Sequence, residues 1–206
     1  MATLAYAHIF EPGSDPTAPP LLLLHGTGGD ERDLLPLGRQ LSPGSALLSP
    51  RGDVVEHGAR RFFARLAEGV FDPAEITRRT HALADFIGAA TAQHGVDRGR
   101  LMAVGFSNGA NIAATLLQLR PESLAGAVLL RAMVVLDQPA VAGTLHGRRV
   151  LLANGTHDPI VPPDHPPRLA ALLRAGGANV SLHLSPASHG LVTADLAAAR
   201  AFLAGP

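Results

Sequence analysis

The chain contains no cysteine, no tryptophan and no lysine. Without thiols there is no disulfide, no thiolate zinc site and no cysteine nucleophile. Without a side-chain amine there is no Schiff-base chemistry and no Walker-type phosphate loop. All 17 basic residues are arginine, and 17 Asp and Glu bring the formal net charge to zero. A GC-rich genome is enough to explain the lysine gap. No basic patch or acidic tail points to nucleic acid or a membrane surface. No purely apolar run is long enough to span a bilayer. The start, "MATLAYAHIFEPG", lacks a basic segment followed by an apolar stretch, so no signal peptide is expected and the cytoplasm is the expected location. There is no His-x-x-x-His pair, and with thiolates also missing, neither a catalytic metal nor another cofactor is expected.

What the chain does have is apolar material in regular blocks. Its 206 residues, 47% apolar and 17% charged, suit one folded domain with a sizeable core. Apolar runs at 21–26, 46–50, 100–106, 125–133, 149–155 and 179–185 read as strands. Their near-continuous hydrophobicity suits a parallel sheet covered on both faces. "YAHIF" (6–10) reads as an extra edge strand. Helical patterns fall at 31–41, 73–94, 108–119, 163–175 and 193–203. In "DPAE" Asp72 stands at the N-cap, Pro73 at the first helical position and Glu75 in the capping-box place. Strand and helix alternate throughout, which predicts a doubly wound α/β fold with a mostly parallel sheet. The stretch 51–72 is irregular, with a short helix expected at 60–67.

One turn carries chemistry. "GFSNGA" (105–110) joins a strand to a helix in the pattern Gly-x-Ser-x-Gly. The bare pattern also suits a glycine-rich turn in any doubly wound protein. Between a good strand and a good helix it reads as a nucleophile elbow. The serine sits in a tight, strained turn, and Gly105 and Gly109 remove side chains that would strike the strand and helix. The turn lifts the hydroxyl above the sheet and sets a helix N-terminus beneath a developing oxyanion.

A serine hydroxyl needs a base, and the base needs an orienting carboxylate; in an elbow protein they follow in the order Ser, acid, His. Downstream of Ser107 the carboxylates are Glu122, Asp137, Asp158, Asp164 and Asp195. Asp158, in "GTHDPIVP", lies just past the carboxyl end of a strand, where sites of open α/β sheets assemble. Asp137 is the next candidate, and Asp195 is expected to be exposed in the first turn of the last helix. Of the histidines at 146, 157, 165, 183 and 189, His189 lies in the loop after the last strand, among small residues that let its ring reach a neighbouring strand end. His183 is expected to be packed or solvent-facing within its strand, and His146 and His165 to be solvated.

"LLLLHGTGGDE" (21–31) ends the first core strand in glycines that keep the backbone close to this rim. The amides of Thr27 and Asn108 are the candidate oxyanion donors. His25 is expected to brace the loop. Within 52–72, Phe62, Phe63 and Phe71 are candidates for walling an acyl pocket, and Arg60 or Arg61 for meeting an acidic group; ordinary core and a solvated face are the plainer readings.

Taken in order, "LLLLHGTGGDE", "SPRG", "GFSNGA", "GTHDPIVP" and "SHGL" resemble the phospholipase/carboxylesterase family of small α/β hydrolases. The resemblance runs from about residue 20 to 203. It implies an α/β-hydrolase fold without a large cap domain, Ser107 as nucleophile, Asp158 as acid, His189 as base, and Thr27 and Asn108 as amide donors. "RFFARLAEGVFD" is similar to the bacterial carboxylesterase branch and lacks the tryptophan-bearing segment of the related acyl-protein thioesterases, which argues against long-chain acyl-protein substrates. The expected partner is a small to medium carboxylic ester, with a homodimer suggested by the family alone. The rival activities are those of an acyl thioesterase or lysophospholipase, and the rival of another class is a non-catalytic small-molecule receptor.

Overall fold

The computed structural model describes residues 4–205; the first three residues of the N-terminal stretch read above, and Pro206, lie outside them. In chain order the elements are β1 (His8–Glu11), β2 (Leu21–Leu24), α1 (Leu35–Leu41), β3 (Leu47–Pro50), β4 (Val54–Glu56), β5 (Ala59–Arg61), α2 (Pro73–His94), β6 (Met102–Phe106), α3 (Asn108–Leu119), β7 (Gly126–Leu130), β8 (Arg149–Gly155), α4 (His165–Ala175), β9 (Asn179–Ser185) and α5 (Thr193–Leu203). Seven strands form one sheet in the order β1-β3-β2-β6-β7-β8-β9, parallel except for the antiparallel edge strand β1. Among the described residues, no helix is long and apolar enough to cross a membrane.

The period-2 geometry of a strand explains the four consecutive leucines of β2. Leu22 and Leu24 join the core beneath α2, α3 and α4, while Leu21 and Leu23 join the core beneath α1 and α5. The same split recurs in β7, with Ala127 and Leu129 on one face and Val128 and Leu130 on the other. The sheet is thus covered on both sides, as its apolar runs demand.

Helix starts follow local chemistry. Asp72 caps α2 by accepting from the Ala74 N–H at 2.9 Å. Glu75 does not complete the capping box; it pairs with Arg78 and Arg79 instead. The helix α1 begins four residues later than the apolar pattern predicts, with Pro36 in its first turn.

The segment 51–72 corrects the expected helix at 60–67. Residues 54–61 form a hairpin, with Glu56 opposite Ala59 and a two-residue turn at His57 and Gly58. Both turn residues have positive φ, 49° and 81°, which suits a tight hairpin turn. His-Gly is a weaker hairpin signal than Asn-Gly, so the sequence concealed it. Between β7 and β8, residues 131–148 contain no helix or strand, leaving no room for a large cap.

Candidate active site

Because β2, β6, β7, β8 and β9 run parallel, their carboxyl ends share one rim. The loop after β2 brings Thr27 there, the turn after β6 brings Ser107, the loop after β8 brings Asp158 and the loop after β9 brings His189. In open α/β sheets ligand sites form in the crevice outside the carboxyl ends of the strands, which is this edge.

Ser107 has φ 52° and ψ −115°, a conformation that a side chain rarely tolerates. The turn is forced by contacts on both sides of it. A Cβ on Gly105 would lie 2.5 Å from the carbonyl oxygen of Gly109. The Ser107 N–H donates to the Leu130 carbonyl at 2.9 Å, and the Ser107 carbonyl accepts from the Asn111 N–H at 2.9 Å. The hydroxyl is therefore carried on backbone anchored to β7 and α3.

The Ser107 hydroxyl lies 3.0 Å from His189 Nε2, and His189 Nδ1 lies 2.8 Å from Asp158 Oδ2. The second carboxylate oxygen of Asp158 accepts from the amides of Ile160 and Val161, at 2.8 and 3.2 Å. The Asp158 side chain is fully buried, so it cannot turn to solvent, whereas the imidazole keeps 20% of its surface exposed. With Asp158 ionised, Nδ1 carries the proton and donates to it, which leaves Nε2 free to accept from the serine. Asp137 lies elsewhere, ion-paired with Arg168 on the surface.

A cavity of about 310 Å³ opens over this row. Thr27, Asn108 and Phe71 line it; Arg60, Phe62 and Phe63 do not. Phe62 and Phe63 are fully buried core, packed on His25 and Phe71 at ring-centroid separations of 4.8 and 5.6 Å. Of the two β5 arginines, Arg61 reaches the cavity and Arg60 does not, because alternate residues of a strand face opposite ways. Arg61 donates to the Thr27 hydroxyl at 2.7 Å and to the Phe63 carbonyl at 3.1 Å. Burial depresses its pKa, against the pull of nearby Glu56.

The loop bearing Thr27 is braced by His25, whose Nδ1–H donates to the Gly26 carbonyl at 2.7 Å while Nε2 accepts from the Gly52 N–H at 2.9 Å. Burial lowers the His25 pKa and keeps the ring neutral, as this bonding pattern requires. Asn108 is the first residue of α3, so its N–H has no acceptor one turn back within the helix. Its side-chain oxygen accepts from the Phe62 N–H at 2.7 Å, tying the elbow to the hairpin segment.

Two residues stand differently from their sequence reading. Asp195 is not exposed on α5; it is fully buried and ion-paired with Arg131. Arg131 directly follows β7 and also borders the cavity, together with Asn111, Met133 and Ile160. The available signal was a single arginine inside the apolar run 125–133. His165 is not merely solvated either, since its Nδ1 accepts from the Val134 N–H at 3.2 Å. Among the described residues, no group of three or more His, Asp or Glu is placed to hold a metal ion.

Comparison with known proteins agrees with this architecture. Residues 64–205 match the family described as Phospholipase/Carboxylesterase. The chain is 43% identical over 196 residues to the protein MhqD of Bacillus subtilis (strain 168), covering 94% of this chain and 95% of that one. Its structure superposes on that of the Bacillus cereus carboxylesterase with a TM-score of 0.91 at 41% identity, over 95% of this chain and 92% of the other. The carboxylesterase of Mesorhizobium loti gives a TM-score of 0.85 at 35% identity, over 91% and 89% of the two chains. The chain belongs to the phospholipase/carboxylesterase family of α/β hydrolases.

Proposed function

We propose that the protein is a serine carboxylesterase acting on small to medium carboxylic esters. The observation that carries this reading is the unbroken hydrogen-bonded row Ser107–His189–Asp158, set on a strained elbow at the floor of a cavity. His189 takes the hydroxyl proton as Ser107 Oγ attacks the ester carbonyl. The same imidazolium then protonates the departing alcohol, leaving an acyl-serine. Water, deprotonated by His189, attacks the acyl carbon and releases the acid and the free serine. Asp158 holds the ring in the productive tautomer and stabilises the imidazolium.

The amides of Asn108 and Thr27 are the oxyanion donors in this scheme, the first at the N-terminal end of α3. Loss of one such donor costs about 2.7–4 kcal/mol of transition-state stabilisation. The cavity volume of about 310 Å³ lies at the low end of the range for ligand sites, roughly 300–1,000 Å³, which favours short acyl groups. The relatives that carry the name carboxylesterase support the choice of ester over thioester.

A fluorophosphonate probe should label Ser107 and no residue in the Ser107→Ala variant. A series of p-nitrophenyl esters, acyl thioesters and lysolipids should show the highest kcat/KM with short esters. Absence of labelling would favour a receptor. Preference for thioesters or lysolipids would replace the ester reading.

A further inference from the structure

The base is carried on a loop, and that loop is held by one buried cation. Arg131 is 1% exposed and adopts φ 59°, a left-handed turn that ends β7 and redirects the chain. Its guanidinium donates to the Ser188 carbonyl at 3.1 Å, to the Gly190 carbonyl at 2.6 Å and to the Ala153 carbonyl at 3.1 Å. Ser188 and Gly190 are the two neighbours of His189. Its remaining bond goes to Asp195, with both side chains fully buried.

Asp195 extends the grip to the far end of the same loop. From the first turn of α5 it accepts from the Val192 N–H at 3.0 Å. Its other oxygen lies 3.4 Å from His183 Nε2. Burial tends to raise the Asp195 pKa, but the bonds from Arg131 and Val192 outweigh it and hold the carboxyl below its ordinary value. The pair is thus ionised where ions are costly.

Arg131 is itself well seated. The Asn154 side chain donates to the Ala132 carbonyl at 3.0 Å, and the Asn111 side-chain oxygen accepts from the Met133 N–H at 2.9 Å. The residues that fix the turn come from β8 and α3, two of the most buried elements of the fold.

A buried ion pair is a poor device for stability alone, because apolar residues of similar volume often do as well. What an apolar pair cannot do is bind three carbonyl oxygens in fixed directions. Arginine's planar fork can, and lysine's single ammonium cannot reproduce it. We infer that Arg131, locked by Asp195, is a positioning residue for His189: by holding the carbonyls on either side of it, the guanidinium sets the imidazole between Ser107 and Asp158. The inference rests on the esterase reading for its kinetic consequences, but the placement of the ring is measurable without turnover.

The test compares the full-length parent with Arg131→Lys, Arg131→Met and Asp195→Asn, each first checked for native circular dichroism. Two quantities are read: kcat and KM on p-nitrophenyl butyrate, and the downfield proton resonance of the His189 Nδ1–H held by Asp158. Arg131→Lys and Arg131→Met should lower kcat by about ten-fold or more, with KM changed by less than about two-fold, since misplacement by about 1 Å costs up to a hundred-fold. The downfield resonance should broaden or vanish in both. Asp195→Asn keeps an acceptor for Arg131 and Val192, so it serves if the arginine variants do not fold; kcat should fall by about three-fold or more, with the same resonance weakened. Folded variants with parental kcat and an unchanged resonance would overturn the inference. Ser107→Ala is measured alongside: full activity there would sink the esterase reading, while the resonance would still decide the role of Arg131.

Discussion

Gly109 and the Leu24 carbonyl are packed backbone against backbone: a Cβ on Gly109 would lie 1.9 Å from that oxygen and 2.6 Å from the oxygen of His25. Neither neighbour is a side-chain end that can swing aside. Gly109→Ala should therefore force α3 away from β2 and cost about 3 kcal/mol. Gly190→Ala is the control, because nothing lies within 4 Å of its Cβ position; it should change stability by less than about 0.5 kcal/mol. Urea midpoints at constant m-value measure both.

Strain at the elbow should appear as a trade between stability and turnover. Ser107 holds φ 52° without being glycine. Ser107→Gly should raise unfolding free energy by about 1 kcal/mol while abolishing ester cleavage. A glycine variant less stable than the parent would show that the serine's own hydrogen bonds outweigh the backbone cost.

The cavity wall separates two adjacent roles within one short segment. Phe71 borders the cavity, whereas Phe63 is fully buried behind it. Phe71→Ala should shift the optimum of a p-nitrophenyl ester series to longer acyl chains with little loss of stability. Phe63→Ala should cost about 3–5 kcal/mol and leave the optimum where it was. Chain-length profiles together with thermal melts distinguish the two.

His25 gives the fold a pH-dependent margin. Its pKa is lowered from the ordinary 6.5, chiefly by burial. The unfolded chain therefore takes up a proton that the native ring refuses. Stability should be full above pH about 6.5 and fall as the pH drops from there through the native value, with a slope of at most about 1.4 kcal/mol per pH unit. His94, also lowered, first by desolvation and then by His8, acts in the same direction below pH about 6.5. The carboxylates held low, Asp15, Glu56, Glu122 and Asp195, act only at more acidic pH. His25→Gln should flatten the slope below pH about 6.5, as read from urea midpoints across a pH series.

The sequence was most legible where backbone geometry depends on local residue type. Gly105, Ser107 and Gly109 announce the elbow because only glycine fits the two close approaches. The alternation of strands and helices announces the sheet, and the rim positions of Asp158 and His189 follow from it. The hairpin at 54–61 was hidden because His57 takes a positive φ that histidine seldom signals. Arg131 and Asp195 were hidden for another reason. They are 64 residues apart, and only tertiary packing makes an exposed-looking helix-start carboxylate into the counterion of a strand-end arginine. For Phe62, Phe63 and Phe71 the sequence left wall and core both open, because an aromatic run does not reveal which ring faces a void.

The position of β9 sets a limit on how this molecule fails. Among the described residues it forms the margin of the sheet and pairs on one side only, with β8. Leu182 and Leu184 on it remain exposed. Such borders open at lower free energy than the centre, and amide exchange reports it. The loop that carries His189, the base of the proposed reaction, hangs from that border. Warming should silence the protein while its interior strands still exclude deuterium, so its working life is governed by fraying at one seam rather than by collapse of the whole.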